Sequence, residues 1–100
     1  MRTYLVTRHA GAVEWLKHRL GVPEVLVLPH LENIHFQAGD KVCGVLPLSW
    51  AERICAQGAE AHVVSVEVPP MLRGQEMSAT QLDALGARLV RYDVRELSRL

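Results

Sequence analysis

The stretch YLVTRHAGAVEWLKHRLGVPEVLVLPH, residues 4–30, decides the fold. Tyr4-Leu5-Val6 reads as a short buried strand. From Gly11 to Leu20 the pattern is helical, with Val13, Leu16 and Leu20 on one side. Gly21 and Pro23 stop that helix, as a C-terminal glycine and a following proline should. Val25 to Leu28 is a second continuous apolar run, bounded by Pro29 and His30. Between the first strand and the helix stand Thr7, Arg8 and His9, where a chain that only had to fold would more often carry Asn, Asp or Ser.

The pattern repeats further along the chain. Leu31 to Asp40 is irregular, with room for one helical turn. Val42 to Leu46 is a third apolar run, closed by Pro47. Ser49 and Glu52 have the spacing of a capping box, and Ala51, Ile54, Cys55 and Gly58 follow at helical spacing. A fourth strand is expected over Val63–Val68, ended by Pro69-Pro70. Ser78 and Gln81 form a second capping box, opening a helix with Leu82 and Leu85 inward. Leu89 to Val94 alternates, which suggests an edge strand. Continuously apolar strands separated by helices indicate a parallel sheet covered on both faces. The expected fold is a small Rossmann-like α/β domain of about five mostly parallel strands, one domain over residues 1–100.

Composition sets bounds on function. Hydrophobic residues make up 49% and charged residues 22%, which is globular and not disordered. Eleven basic and eleven acidic residues cancel, so the whole chain offers no long-range attraction to a DNA duplex, while a local anion site stays open. No apolar run reaches the roughly 20 residues of a membrane span. The chain enters a strand at once, so no signal peptide is expected. Cys43 and Cys55 sit in apolar segments and read as reduced thiols of a cytoplasmic protein.

In an open parallel sheet, ligands bind beyond the carboxyl ends of the strands. Arg8 and His9 follow the first strand, His30 the second, Pro47 and Ser49 the third, and Glu67 with Arg73 and Gly74 the fourth. Arginine forks and helix N-termini both favour phosphate. The opposite edge holds Pro23, Asp40, Lys41 and Glu60, which read as ordinary turn residues. His18 and His62 read as structural. His30 and His35 lack a third ligand at metal-site spacing, so no metal and no other cofactor is expected. Trp15 and Trp50 stand near the first turns of two helices and read as packing residues, either of which could border an adenine. There is no G-x-G-x-x-G, no P-loop and no G-x-S-x-G, which argues against dinucleotide, ATP and nucleophile-elbow chemistry.

Three segments, TYLVTRHAGAVEWL, AGDKVCGVLPLSWAERICAQGA and RGQEMSATQLDALGARLVRYDV, together resemble the small CRISPR-associated ancillary proteins of type III systems. The resemblance is to the single-domain Csx type whose signature begins Tyr-Leu-Val-Thr-Arg-His-x-Gly-Ala. It runs over essentially the whole chain and is most specific in Val6–Ala12 and Gly39–Pro47. It implies a Rossmann-like homodimer related to the CARF-like sensor domains that bind cyclic oligoadenylate messengers. The activity it implies is that of a ring nuclease, which linearises the messenger and switches the response off. Arg8, His9 and Gly11 would enter the site, with Ser49 and Arg73. Two other functions fit parts of the pattern. One is a non-catalytic protein that sequesters the ring. The other is a histidine phosphatase, but Ala10 separates His9 from Gly11 and His62 stands at the wrong end of its strand.

Overall fold

The computed structural model describes residues 1–31 and 34–100. The elements are β1 (Thr3–Val6), α1 (Ala10–Leu20), β2 (Leu26–Leu28), β3 (Lys41–Gly44), α2 (Leu48–Ala56), β4 (Glu60–Ser65), a 3₁₀ turn (Pro70–Leu72), α3 (Ala79–Ala84) and β5 (Arg88–Tyr92). They form one five-stranded sheet in the order β2-β1-β3-β4-β5. The pairs β1·β2, β1·β3 and β3·β4 are parallel, and β5 returns antiparallel to β4. This is the small Rossmann-like α/β arrangement that the apolar runs imply.

Helices cover both faces, and alternation along each strand assigns the side chains. Tyr4, Val6, Val42 and Ala61 pack with Phe36 and with Ala51 and Ile54 of α2. Leu5 and Cys43 face the other way, against Trp15 and Leu16 of α1 and Leu82 of α3. The rings of Tyr4 and Phe36 meet edge to face at 5.0 Å. Leu5, Leu16, Val42 and Ile54 are fully buried, and each such side chain stabilises the fold by about 1.5–3 kcal/mol.

Several boundaries and roles differ from the sequence expectation. β3 stops at Gly44, short of the Leu46 expected from the apolar run. β4 is Glu60–Ser65 and not Val63–Val68, and β5 is Arg88–Tyr92. The run Val25–Leu28 is an edge, paired to β1 alone, and Leu26 and Val27 are each 44% exposed. The Ser78–Gln81 capping box is present with both of its bonds. The Ser49–Glu52 box is not. α2 starts at Leu48 with Pro47 as its N-cap and no side-chain cap bond, because proline at φ −59° leads directly into the helix. Ser49 therefore lies inside the first turn. Asp40 is not an ordinary turn residue: it is buried and its carboxylate accepts the amide hydrogens of Arg2 and Gln37, at 2.8 and 2.9 Å. In the stretch expected to be irregular, Ala38 and Gly39 make a turn, while Glu32 and Asn33 lie outside the described residues. No helix among the described residues is long and apolar enough to cross a membrane.

Candidate functional site

The sheet order fixes where a ligand can enter. β1 lies between β2 and β3. The chain leaves β1 through α1 toward one edge, then crosses back to start β3 on the other side. At such a switch point the two connections diverge and leave a crevice beyond the strand ends. A cleft of about 510 Å³ opens there, lined by Val6, Thr7, Arg8 and His9 after β1, Pro29, His30 and Leu31 after β2, and Val45, Pro47 and Trp50 after β3.

Thr7 explains why Arg8 and His9 reach this cleft. Its own N–H continues the ladder to the Leu28 carbonyl at 3.2 Å. Its buried hydroxyl accepts the His9 N–H at 3.1 Å. A threonine hydroxyl bonded two residues onward builds a tight turn. His9 is then the N-cap of α1 in extended geometry, and its carbonyl takes the Val13 N–H. Among the described residues the exposed Arg8 side chain has no ion pair and no hydrogen-bond partner, so none of them occupies its fork.

The three helices differ at their N-termini. α3 is sealed by Ser78 and Gln81. α1 and α2, which open beside the cleft, have no side-chain cap bond and no acidic residue in their first turns. Each leaves first-turn amides without a side-chain cap at the positive end of its dipole, and at α1 the only carboxylate described beside that end, Glu76, reaches it through the His9 ring. The edge as a whole favours an anion.

His9 has a partner that the sequence did not disclose. Its Nδ1 lies 2.6 Å from Glu76 Oε1. Glu76 comes from the loop before α3, and the backbone explains how it gets there. A Cβ on Gly11 would stand 1.9 Å from the Met77 carbonyl oxygen. Glycine in the first turn of α1 thus lets the loop press against the helix and carry Glu76 to His9. Gly11 does not line the cleft; its visible role is this close approach.

The other expected residues divide. Arg8, His9, His30 and Pro47 meet in the cleft, whereas Ser49 and Arg73 are not among its lining. Arg73 is exposed, and its Nε donates to the Val68 carbonyl at 3.3 Å. Glu67 is exposed beyond β4. The tryptophans part ways. Trp15 is core, with its indole N–H on Asp83 at 2.7 Å and Arg19 over its ring. Trp50 is half-buried in the cleft wall, with the Arg53 guanidinium 4.8 Å from its ring centroid.

A second groove of about 490 Å³ runs between α1 and α3. Its polar groups engage one another: Asp83 accepts from Trp15 and lies 3.7 Å from Arg19. That leaves less for a ligand than the open arginine of the first cleft. His62 is also spoken for, bonded to Glu60 at 2.9 Å near the start of β4, and Arg91 flanks the pair. That hydrogen bond, with Arg91 and Lys41 nearby, holds the Glu60 carboxyl below its usual range despite burial. Burial pushes the Cys43 thiol up to about 11, so it stays protonated and inert. Among the described residues no three His, Cys, Asp or Glu side chains come together to hold a metal.

Residues 4–95 match the model of a family described as "Putative CRISPR-associated protein (Cas_VVA1548)". No curated protein and no solved structure matches the chain.

Proposed function

The chain belongs to this CRISPR-associated family, and on that footing we propose that it is a ring nuclease, binding cyclic oligoadenylate in the switch-point cleft and linearising it. The observation that carries the reading is the content of the cleft: His9, His30, an Arg8 with no partner among the described residues, Trp50 in the wall and two helix N-termini without a side-chain cap bond, on a chain of zero net charge. Such an edge suits a small polyanion with bases better than a long duplex.

RNA-like rings contain their own nucleophile. The ribose 2′-oxygen attacks the adjacent phosphorus, the bond from phosphorus to the 5′-oxygen breaks, and a 2′,3′-cyclic phosphate and a free 5′-hydroxyl remain. The protein has to hold the attacking and leaving oxygens in line and stabilise the charge on the phosphoryl oxygens. Arg8 supplies that charge. His9 delivers a proton to the departing 5′-oxygen, while the proton of the 2′-hydroxyl goes to solvent. The first turn of α2 cradles a neighbouring phosphate through its backbone amides, and Trp50 offers its face to an adenine; Ser49 stands outside the cleft lining and is assigned no step. Arg73 stands outside the cleft lining and is assigned no step. None of these steps calls for a metal.

A ring of four nucleotides is larger than the drug-sized ligands for which clefts of about 300–1,000 Å³ are usual. One cleft of about 510 Å³ therefore holds part of the ring. A two-fold homodimer completes the site.

The test is to incubate the protein with cyclic tetra-adenylate in EDTA and resolve the products chromatographically. Short linear oligoadenylate ending in 2′,3′-cyclic phosphate is expected. A ring with 2′-deoxyriboses should bind and resist cleavage; its cleavage would make water the nucleophile. Tight binding with no product would leave a protein that sequesters the messenger.

A further inference from the structure

We propose that Glu76 is the positioning residue that sets the orientation and tautomer of His9. This rests on the reading of the cleft as a ring-cleaving site. Three contacts fix His9, two on its backbone and one on its ring. Its backbone is fixed on both sides, by the Thr7 hydroxyl and by the first bond of α1. Its Nδ1 meets Glu76 Oε1 at 2.6 Å. The loop bearing Glu76 is itself clamped, with Met77 against Gly11, Gln75 bonded to Met71 and Ser78 closing the cap of α3.

The side chains of His9 and Glu76 are 60% and 68% exposed. An exposed ion pair of this kind contributes little to stability. Its effect is one of direction. A carboxylate that accepts the Nδ1 hydrogen fixes the ring plane and leaves Nε2 as the nitrogen free to act, as in carboxylate–histidine pairs generally. In the cleavage step the doubly protonated ring gives its Nε2–H to the departing 5′-oxygen and is left as the neutral Nδ1–H tautomer on the Glu76 carboxylate, and solvent then returns a proton to Nε2.

Two readouts test this, one without any substrate. Nitrogen-15 spectra of the His9 ring, taken on the alkaline side of neutrality, should show the hydrogen on Nδ1 in the native protein. In Glu76→Ala it should shift to Nε2. In single-turnover cleavage of cyclic tetra-adenylate, Glu76→Ala should lower the rate at saturation at least tenfold, with affinity changed less than twofold. Glu76→Gln, whose amide oxygen can still accept Nδ1–H, should recover part of that loss. Adding Glu76→Ala to His9→Ala should cost nothing further, since the two act through one atom. An unchanged tautomer in Glu76→Ala overturns the proposal, as does a further loss in the double variant. A protein that cleaves no ring overturns the nuclease reading instead, and the tautomer alone then decides the role of Glu76.

Discussion

Gly44 stands opposite Val6 at the last register position of β1 and β3, and a Cβ placed on it would come within 2.1 Å of the Val6 carbonyl oxygen. The two strands whose ends frame the cleft are thus held by a contact that only glycine permits. Gly44→Ala should force β3 away from β1 and lower stability by about 1–3 kcal/mol or more, the usual cost of overpacking. Urea unfolding should show a lower midpoint at unchanged slope, and ligand affinity should fall with it. An unchanged midpoint would mean the strand ends yield without cost.

Arg8 is exposed and unpaired among the described residues, so its removal should spare the fold. A charge-assisted contact is worth roughly 1.5–3 kcal/mol. Arg8→Ala should therefore weaken ring binding by about 10- to 150-fold at a constant melting temperature. Calorimetry with the uncleavable deoxy ring measures this directly. Equal affinity would take Arg8 out of the site.

Trp50 gives a different signature. Stacking of one base on an aromatic ring is worth about 1–3 kcal/mol. Trp50→Ala should weaken the binding of the ring, and Trp50→Phe should keep most of it. A ring of abasic ribose phosphates should bind both variants and the native protein alike. If Trp50→Ala bound the adenylate ring normally, the indole would be packing only.

Asp40 predicts the acid limb. The Arg2 amide lowers its carboxyl most, burial opposes this, and the Gln37 amide and the charge of Arg2 add to the lowering. A carboxylate depressed in the fold stabilises the native state above its unfolded value of about 3.9. That contribution disappears as pH falls through the folded value. Stability should thus drop below about pH 4. Asp40→Asn should lose about 1–3 kcal/mol at neutral pH, because one acceptor is replaced by an N–H that faces another N–H. It should also show a shallower acid limb, read from denaturant midpoints across pH.

The assembly prediction rests on the cleft rim. Val45, in the cleft lining, and Leu48, the first residue of α2, are apolar yet 65% and 75% exposed. Light scattering at micromolar concentration is expected to give a homodimer. A monomer, with and without ring, would count against a site shared by two copies.

Much of this was visible in the chain itself. The apolar runs announced parallel strands, and Arg8, His9, His30 and Pro47 fell at their carboxyl ends as the chain order required. Other features were not readable there, for physical reasons. Val25–Leu28 is as apolar as Tyr4–Val6, yet one is an edge and the other central, because hydrophobicity reports burial and not the number of neighbours. Ser49 and Glu52 have capping-box spacing, but the preset geometry of Pro47 starts the helix first. Glu76 reaches His9 across 67 positions of sequence, a contact with no periodicity to betray it. Trp15 and Trp50 look equivalent until the sheet order puts one beneath α3 and the other beside the crevice.

The crossing order of the strands also governs when the cleft comes into being. β1 and β3 are neighbours, but α1 and β2 are made between them, and no adjacent strands are joined by a tight hairpin. Closing such distant pairs costs loop entropy before any contact compensates it. A nascent chain that has reached Leu31 already carries Arg8 and His9, yet has no Pro47, Trp50 or Glu76 to stand around them. The walls of the cleft are therefore complete only once β3, the start of α2 and the loop before α3 are in place, and a fragment ending at Leu31 is expected to bind no ring.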